Sequence, residues 1–114
     1  MTAVHADDLT RFQHDLLVVI AGYEHGRYRD DRHTGSRPHG LALKDTLDAR
    51  YDAEVHHGRL YPNLDTLVDK GLVEKQERDQ RTNVYSLTDQ GWALLDQRVQ
   101  WLLNCLDGDT GGGE

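Results

Sequence analysis

The stretch from His56 to Thr88 constrains this 114-residue chain more than any other. Its first part places Leu60, Leu64, Leu67 and Val68 at helical spacing on one face. Pro62 is tolerated only near a helix start, where backbone N–H groups lack intrahelical partners, so the helix is expected to begin near Gly58 or Arg59 and to run over about 58–70. Gly71 suits the left-handed residue that closes a helix. Two β-like runs follow, 72–77 and 83–87, joined by the polar loop 78–82 with Arg78 and Arg81. Helix, tight stop and basic-tipped hairpin make the second half of a winged helix-turn-helix.

The polar side of that helix gives the functional reading. Arg59, Asn63, Thr66 and Lys70 follow i, i+4, i+7, i+11 spacing beside the leucine stripe, with His57 and Tyr61 nearby. Arg can donate twice to guanine O6 and N7, and Asn can pair with adenine N6 and N7. Thr66 and Lys70 suit methyl or phosphate contacts. A solvated polar face would look similar on the helix alone; the following hairpin with two arginines favours DNA.

The string Gly58-Arg59-Leu60-Tyr61-Pro62-Asn63-Leu64, then Leu67, Gly71-Leu72-Val73 and Tyr85-Ser86-Leu87-Thr88-Asp89-Gln90-Gly91, resembles the PadR-type winged-helix transcriptional regulators. The start, Leu9 to Leu17, is similar to their haloarchaeal branch. The resemblance covers about 10–106 and implies a DNA-binding regulator. It departs at 23–38, where a long polar segment replaces a short link, and in the single short C-terminal helix.

By length the chain is one domain, and its 37 % hydrophobic residues can bury a small core that dimerisation would enlarge. No apolar run is long enough to cross a bilayer, the start lacks signal-peptide features, and the one cysteine excludes an internal disulfide, so no membrane role and a cytoplasmic location are expected. The net charge is −7, from 15 Asp and 5 Glu against 10 Arg and 3 Lys. Residues 71–88 are neutral overall while 89–114 carry −4, so the acid lies away from the hairpin. An Asp-rich, Lys-poor surface suits a cytosol of very high salt.

Taken in order, residues 1–9 are expected to be a flexible arm and 10–88 the winged helix-turn-helix domain. A first helix capped by Thr10 spans about 10–22, apolar almost all round through Phe12, Leu16, Leu17, Val18, Val19 and Ile20. Residues 23–38 form a polar loop, and a second helix spans about 39–52 with Leu43, Leu47 and Tyr51 buried and Lys44 placed for a DNA-backbone contact. Thr88 caps a dimerisation helix over 89–106, and 107–114 is a flexible tail. In that helix Trp92, Leu95, Val99, Leu102 and Leu106 form a 3-4-3-4 seam suited to another helix, with Leu94, Trp101 and Cys105 nearly opposite. With Leu16 and Val19 of the first helix, this seam predicts a homodimer. Cys105 is read as a small buried hydrophobe.

No phosphate loop, Cys-x-x-Cys or His-Glu-x-x-His motif is present, and His25, His33, His39, His56 and His57 lack metal-site spacing. The expectation is therefore no catalytic residue, no metal and no cofactor. The predicted partner is double-stranded DNA, bound by Lys44, His57, Arg59, Tyr61, Asn63, Thr66, Lys70, Arg78 and Arg81 at a palindromic operator. The alternatives are a winged helix used for protein–protein contact, and a ligand- or metal-responsive sensor acting through 23–38.

Overall fold

The computed structural model describes residues 8–29, 37–79 and 82–107. Six elements follow in the order α1 (Arg11–Glu24), α2 (Gly40–Tyr51), α3 (His57–Asp69), β1 (Val73–Asp79), β2 (Thr82–Leu87) and α4 (Asp89–Leu106). The helices surround one core, and the two strands form an antiparallel hairpin at its edge. This is a mainly helical winged-helix fold with a small wing.

Three helix boundaries have a visible chemical cause. Thr10 opens α1 with a reciprocal cap: its hydroxyl accepts the Gln13 N–H at 3.1 Å, and the Gln13 side chain accepts the Thr10 N–H at 3.0 Å. α3 stops at Gly71, whose φ of 78° is open to glycine without strain. Two reversed hydrogen bonds complete that stop, Leu72 N–H to Leu67 O and Gly71 N–H to Val68 O, both 3.0 Å. Thr88 opens α4 by accepting the Gly91 N–H at 3.1 Å.

The core is made by leucines at helical spacing. Leu16 and Leu17 of α1, Leu43 and Leu47 of α2, and Leu60, Leu64 and Leu67 of α3 are all fully buried. Each contributes about 1.5–3 kcal/mol of apolar burial. Leu72, Val73, Tyr85 and Leu87 close the core from the hairpin, and Leu94 from α4.

Several expectations need correction. Leu9, expected in a flexible arm, packs into the core, whereas residues 1–7 lie outside the described residues. The polar loop is shorter than 23–38. Tyr23 and Glu24 complete α1, because the Tyr23 ring is buried and its hydroxyl reaches the Ala42 carbonyl at 3.1 Å. At the other end Pro38 is buried and accepts the Tyr85 N–H at 2.9 Å, with a bridge between His39 and Val84. The segment before α2 therefore lines the free edge of β2. Residues 30–36, including His33, lie outside the described residues.

The first helix is not apolar on every side in its packing: Val18 is 54 % exposed. Pro62 stands further inside α3 than expected, since the helix starts at His57. The hydrogen bond it forgoes would go to Gly58 O, and Gly58 is exposed, so water can serve that carbonyl. The strands reach Asp79 and Thr82, and the register shifts between Glu77 and Asp79. Arg78 thus occupies an irregularity on the strand rather than the loop.

The helix α4 begins on the body and ends off it. Gly91 and Leu94 are buried, and Trp92 and Leu95 pack against the core. From Val99 onward every residue through Asp107 is exposed, including Trp101, Leu103 and Cys105. Cys105 is therefore not a buried hydrophobe within this chain. The tail 108–114 lies outside the described residues.

Candidate nucleic-acid interface

The leucine stripe of α3 fixes which side of the helix is left for a partner. At about 100° per residue, the ridge farthest from Leu60, Leu64 and Leu67 is Gly58, Pro62, Asp65 and Asp69, all exposed. Arg59, Asn63, Thr66 and Lys70 occupy the flank toward α1, and His57 and Tyr61 the flank toward α2. The six residues predicted on this helix thus lie on two flanks rather than one face.

The α1 flank is organised by side-chain contacts within the chain. The Arg59 guanidinium lies 4.0 Å from the centre of the Phe12 ring, a cation–π contact that leaves the side chain exposed. Asn63 Nδ2 donates to the Arg59 carbonyl at 2.7 Å, while Asn63 Oδ1 accepts from Gln13 Nε2 at 2.9 Å. Thr66 Oγ1 donates to the Pro62 carbonyl at 3.0 Å. Lys70 caps α3, with its backbone N–H bonded to Thr66 O at 2.9 Å.

On the other flank Tyr61 lies over Gly40 so closely that a Cβ there would stand 2.7 Å from the ring and hydroxyl. Burial pushes the Tyr61 phenol above its ordinary range. His57 meets the Tyr61 ring edge-on, with ring centres 5.8 Å apart. A polar cleft of about 470 Å³ runs between this flank and the hairpin, bounded by Tyr61, Asp65, Lys75, Thr82 and Asn83. Across it Lys75 Nζ pairs with Asp65 at 3.5 Å.

Lys44 is held by acids of its own chain. Its ammonium is 2.8 Å from Asp48 Oδ2 and 3.6 Å from Glu54, and the hydrogen bond to Asp48 raises its pKa. Asp48 is lowered in turn, first by Lys44 and then by the Val55 N–H, which it accepts at 2.6 Å. Asp48 thus braces the turn from α2 to α3, with Asp52 in the left-handed region at its C-cap. Arg78 is exposed on β1, and Arg81 lies outside the described residues.

Among the residues read as interface, Leu16 and Val19 are 0 % and 2 % exposed, enclosed by the protomer core. Val99, Leu102 and Leu106 are 48 %, 37 % and 78 % exposed and have no such enclosure. Gln13 and Lys75 escaped the sequence reading. Gln13 was legible as a cap partner of Thr10, but its bond to Asn63 spans fifty positions and no periodicity signals it. Among the described residues no group of three or more His, Cys, Asp or Glu side chains is arranged to hold a metal ion. No helix described is long and apolar enough to cross a membrane.

Comparison with known proteins agrees with this fold. A complex of the regulator hsRosR, designated S1, superposes with a TM-score of 0.77 and 44 % identity, covering 92 % of this chain and 82 % of that one. H. salinarum RosR grown from NaBr gives a TM-score of 0.69 at 47 % identity, covering 87 % and 78 %. A mutant of E. coli MarR complexed with operator DNA gives 0.61 at 28 % identity, covering 82 % of this chain and 55 % of that one. No curated protein sequence matches the chain. The profile of the transcriptional regulator PadR-like family matches residues 33–97, and the chain belongs to that family of winged-helix transcriptional regulators.

Proposed function

We propose that the chain is a homodimeric, sequence-specific DNA-binding regulator that works in the cytoplasm at high salt. The recognition helix α3 enters the major groove, and the β1–β2 wing meets the flanking backbone or minor groove. The observation that carries this reading is α3 itself: three leucines hold it in the core while the opposite ridge, with His57 and Arg59 of its flanks, is exposed next to the wing. Arg59 is the principal base-reading side chain. His57, Tyr61, Asn63, Thr66 and Lys70 complete the helix surface, and Arg78 and Arg81 serve the wing. Lys44 touches the backbone from α2, in exchange for one of its acidic partners.

Dimerisation is assigned to the outer half of α4, where Val99, Leu102 and Leu106 continue the line of Trp92 and Leu95 beyond the body. Exposed Val18 is the α1 residue available to such a contact. Two-fold symmetry then calls for a palindromic operator with half-sites about one or two helical turns apart. The charge of −7, with 15 Asp, supports high-salt operation. Selection of bound duplexes from a random DNA pool in molar potassium chloride tests the proposal. A palindromic sequence should be enriched; a pool unchanged after selection would contradict it.

A further inference from the structure

Gln13, on α1 and outside the set of residues expected to touch DNA, stands in the middle of a chain of hydrogen bonds that reaches α3. The Thr10 N–H donates to Gln13 Oε1 at 3.0 Å, Gln13 Nε2 donates to Asn63 Oδ1 at 2.9 Å, and Asn63 Nδ2 donates to the Arg59 carbonyl at 2.7 Å. One end is a backbone N–H, which can only donate, and the other is a backbone carbonyl, which can only accept. Between such ends the two amides have one self-consistent orientation. The side chain of Gln13 is nearly enclosed, at 8 % exposure, so water competes little for its bonds.

We infer that Gln13 is a specificity-determining positioning residue, which sets the sense in which Asn63 presents its amide to a base. The inference rests on α3 being the reading helix. After serving Gln13 and Arg59, Asn63 retains one lone pair on Oδ1 and one hydrogen on Nδ2. That acceptor and donor complement the N6 donor and N7 acceptor of adenine only in one order. Gln13 and the Arg59 carbonyl together fix the order, and Gln13 does so without touching the DNA. The same link pulls Asn63 toward α1, so the side chain is pre-set rather than free to rotate.

Gln13→Glu separates this role from structural support. The carboxylate keeps an oxygen for the Thr10 N–H, so the reciprocal cap survives. Toward Asn63 it offers an acceptor in place of a donor, so Asn63 Oδ1 loses its partner, while turning the amide over would set Oδ1 against the Arg59 carbonyl; either way the pre-set amide is released. The experiment measures base preference at each operator position, by competition among single-substituted duplexes drawn from the selected site. Wild type, Gln13→Glu, Asn63→Ala and the double variant are compared, with melting temperature as the structural control. Gln13→Glu should melt like wild type and lose about fivefold or more of the preference at the base pair read by Asn63. In the Asn63→Ala background it should change nothing further. If the carboxylate prevents folding, Gln13→Met removes the same donor without charge and carries the same expectation. Preference changed by Asn63→Ala but not by the position-13 variants overturns the positioning role and leaves the reading helix standing. Preference unchanged by both Asn63→Ala and Arg59→Ala removes the reading helix and the positioning role together.

Discussion

Thr88 Oγ1 donates to the Gly71 carbonyl at 2.6 Å, so the hydroxyl that opens α4 also secures the end of α3. The Thr88 N–H adds a 3.1 Å bond to Leu72 O, and Gly91 lies against that same carbonyl. A Cβ at position 91 would stand 2.3 Å from Leu72 O. The Tyr-x-Leu-Thr-x-x-Gly string is therefore the joint by which α4 is fixed to the end of α3.

The two motif glycines make opposite predictions. Gly91→Ala must displace backbone and should destabilise the fold by about 1–3 kcal/mol. Gly58 has no atom within 4 Å of the position its Cβ would take, and its φ is ordinary. Gly58→Ala should therefore stabilise by about 0.5–1 kcal/mol, as expected for glycine removed from a helix. Urea unfolding at one fixed, high salt concentration measures both.

Much of this was legible in the sequence, because the signals are local. The leucine stripe, the Thr10 and Thr88 caps and the Gly71 stop depend on neighbours within a few positions. What escaped depends on distant ones. Tyr23 and Pro38 look polar or loop-like, and only the ring over α2 and the free edge of β2 draw them inward. Leu16 and Val19 look available to a partner until α2 and α3 cover them. The stripe of Arg59, Asn63, Thr66 and Lys70 was visible, but its lean toward α1 comes from Phe12 and Gln13.

The helix-turn-helix corner should depend on Asp48. Asp48→Ala leaves the Val55 N–H and the Lys44 ammonium without their shared acceptor, and should cost about 1–3 kcal/mol in urea unfolding. Because the folded-state pKa of Asp48 lies below its ordinary 3.8, its contribution is present above that pH and is lost as pH falls through the lower folded value.

At the alkaline end Tyr51 and Tyr85 act with the opposite sign. Burial is the main cause raising each phenol from 10.0 to about 12, and Asp15, whose carboxylate accepts from Tyr51 at 2.5 Å, adds to the shift at Tyr51. Their contribution is complete below pH 10 and falls as pH rises toward 12. Melting temperature measured across that window should drop, and Tyr51→Phe should flatten part of the drop. An unchanged profile in the variant would count against the assignment.

Val99→Asp or Leu102→Asp places a charge in the proposed dimer seam and should yield monomers. Sedimentation at micromolar concentration in high salt reads this directly. Wild type should sediment as a dimer, and a monomeric wild type would contradict the seam.

The charge of −7 predicts an unusual salt response. Ordinary binders lose affinity as salt rises, with a slope of about −0.9 per phosphate neutralised. In molar salt the Debye length falls to about 3 Å, and repulsion between an acidic protein and DNA is screened. Cation uptake between carboxylates and phosphates on binding would offset counterion release. Specific affinity should be flat or rise between moderate and molar potassium chloride, as a series of binding isotherms would show.

On the proposed reading, α3 reads DNA through Arg59, the side chain lying over Phe12. The most direct test of that reading is the affinity of Arg59→Ala for the selected operator and for a scrambled duplex, both in molar potassium chloride. A loss of about 1–3 kcal/mol is expected on the operator, with little change on the scrambled duplex and hence reduced discrimination. Equal affinities for wild type and variant on both duplexes, with the variant folded and dimeric, would contradict it.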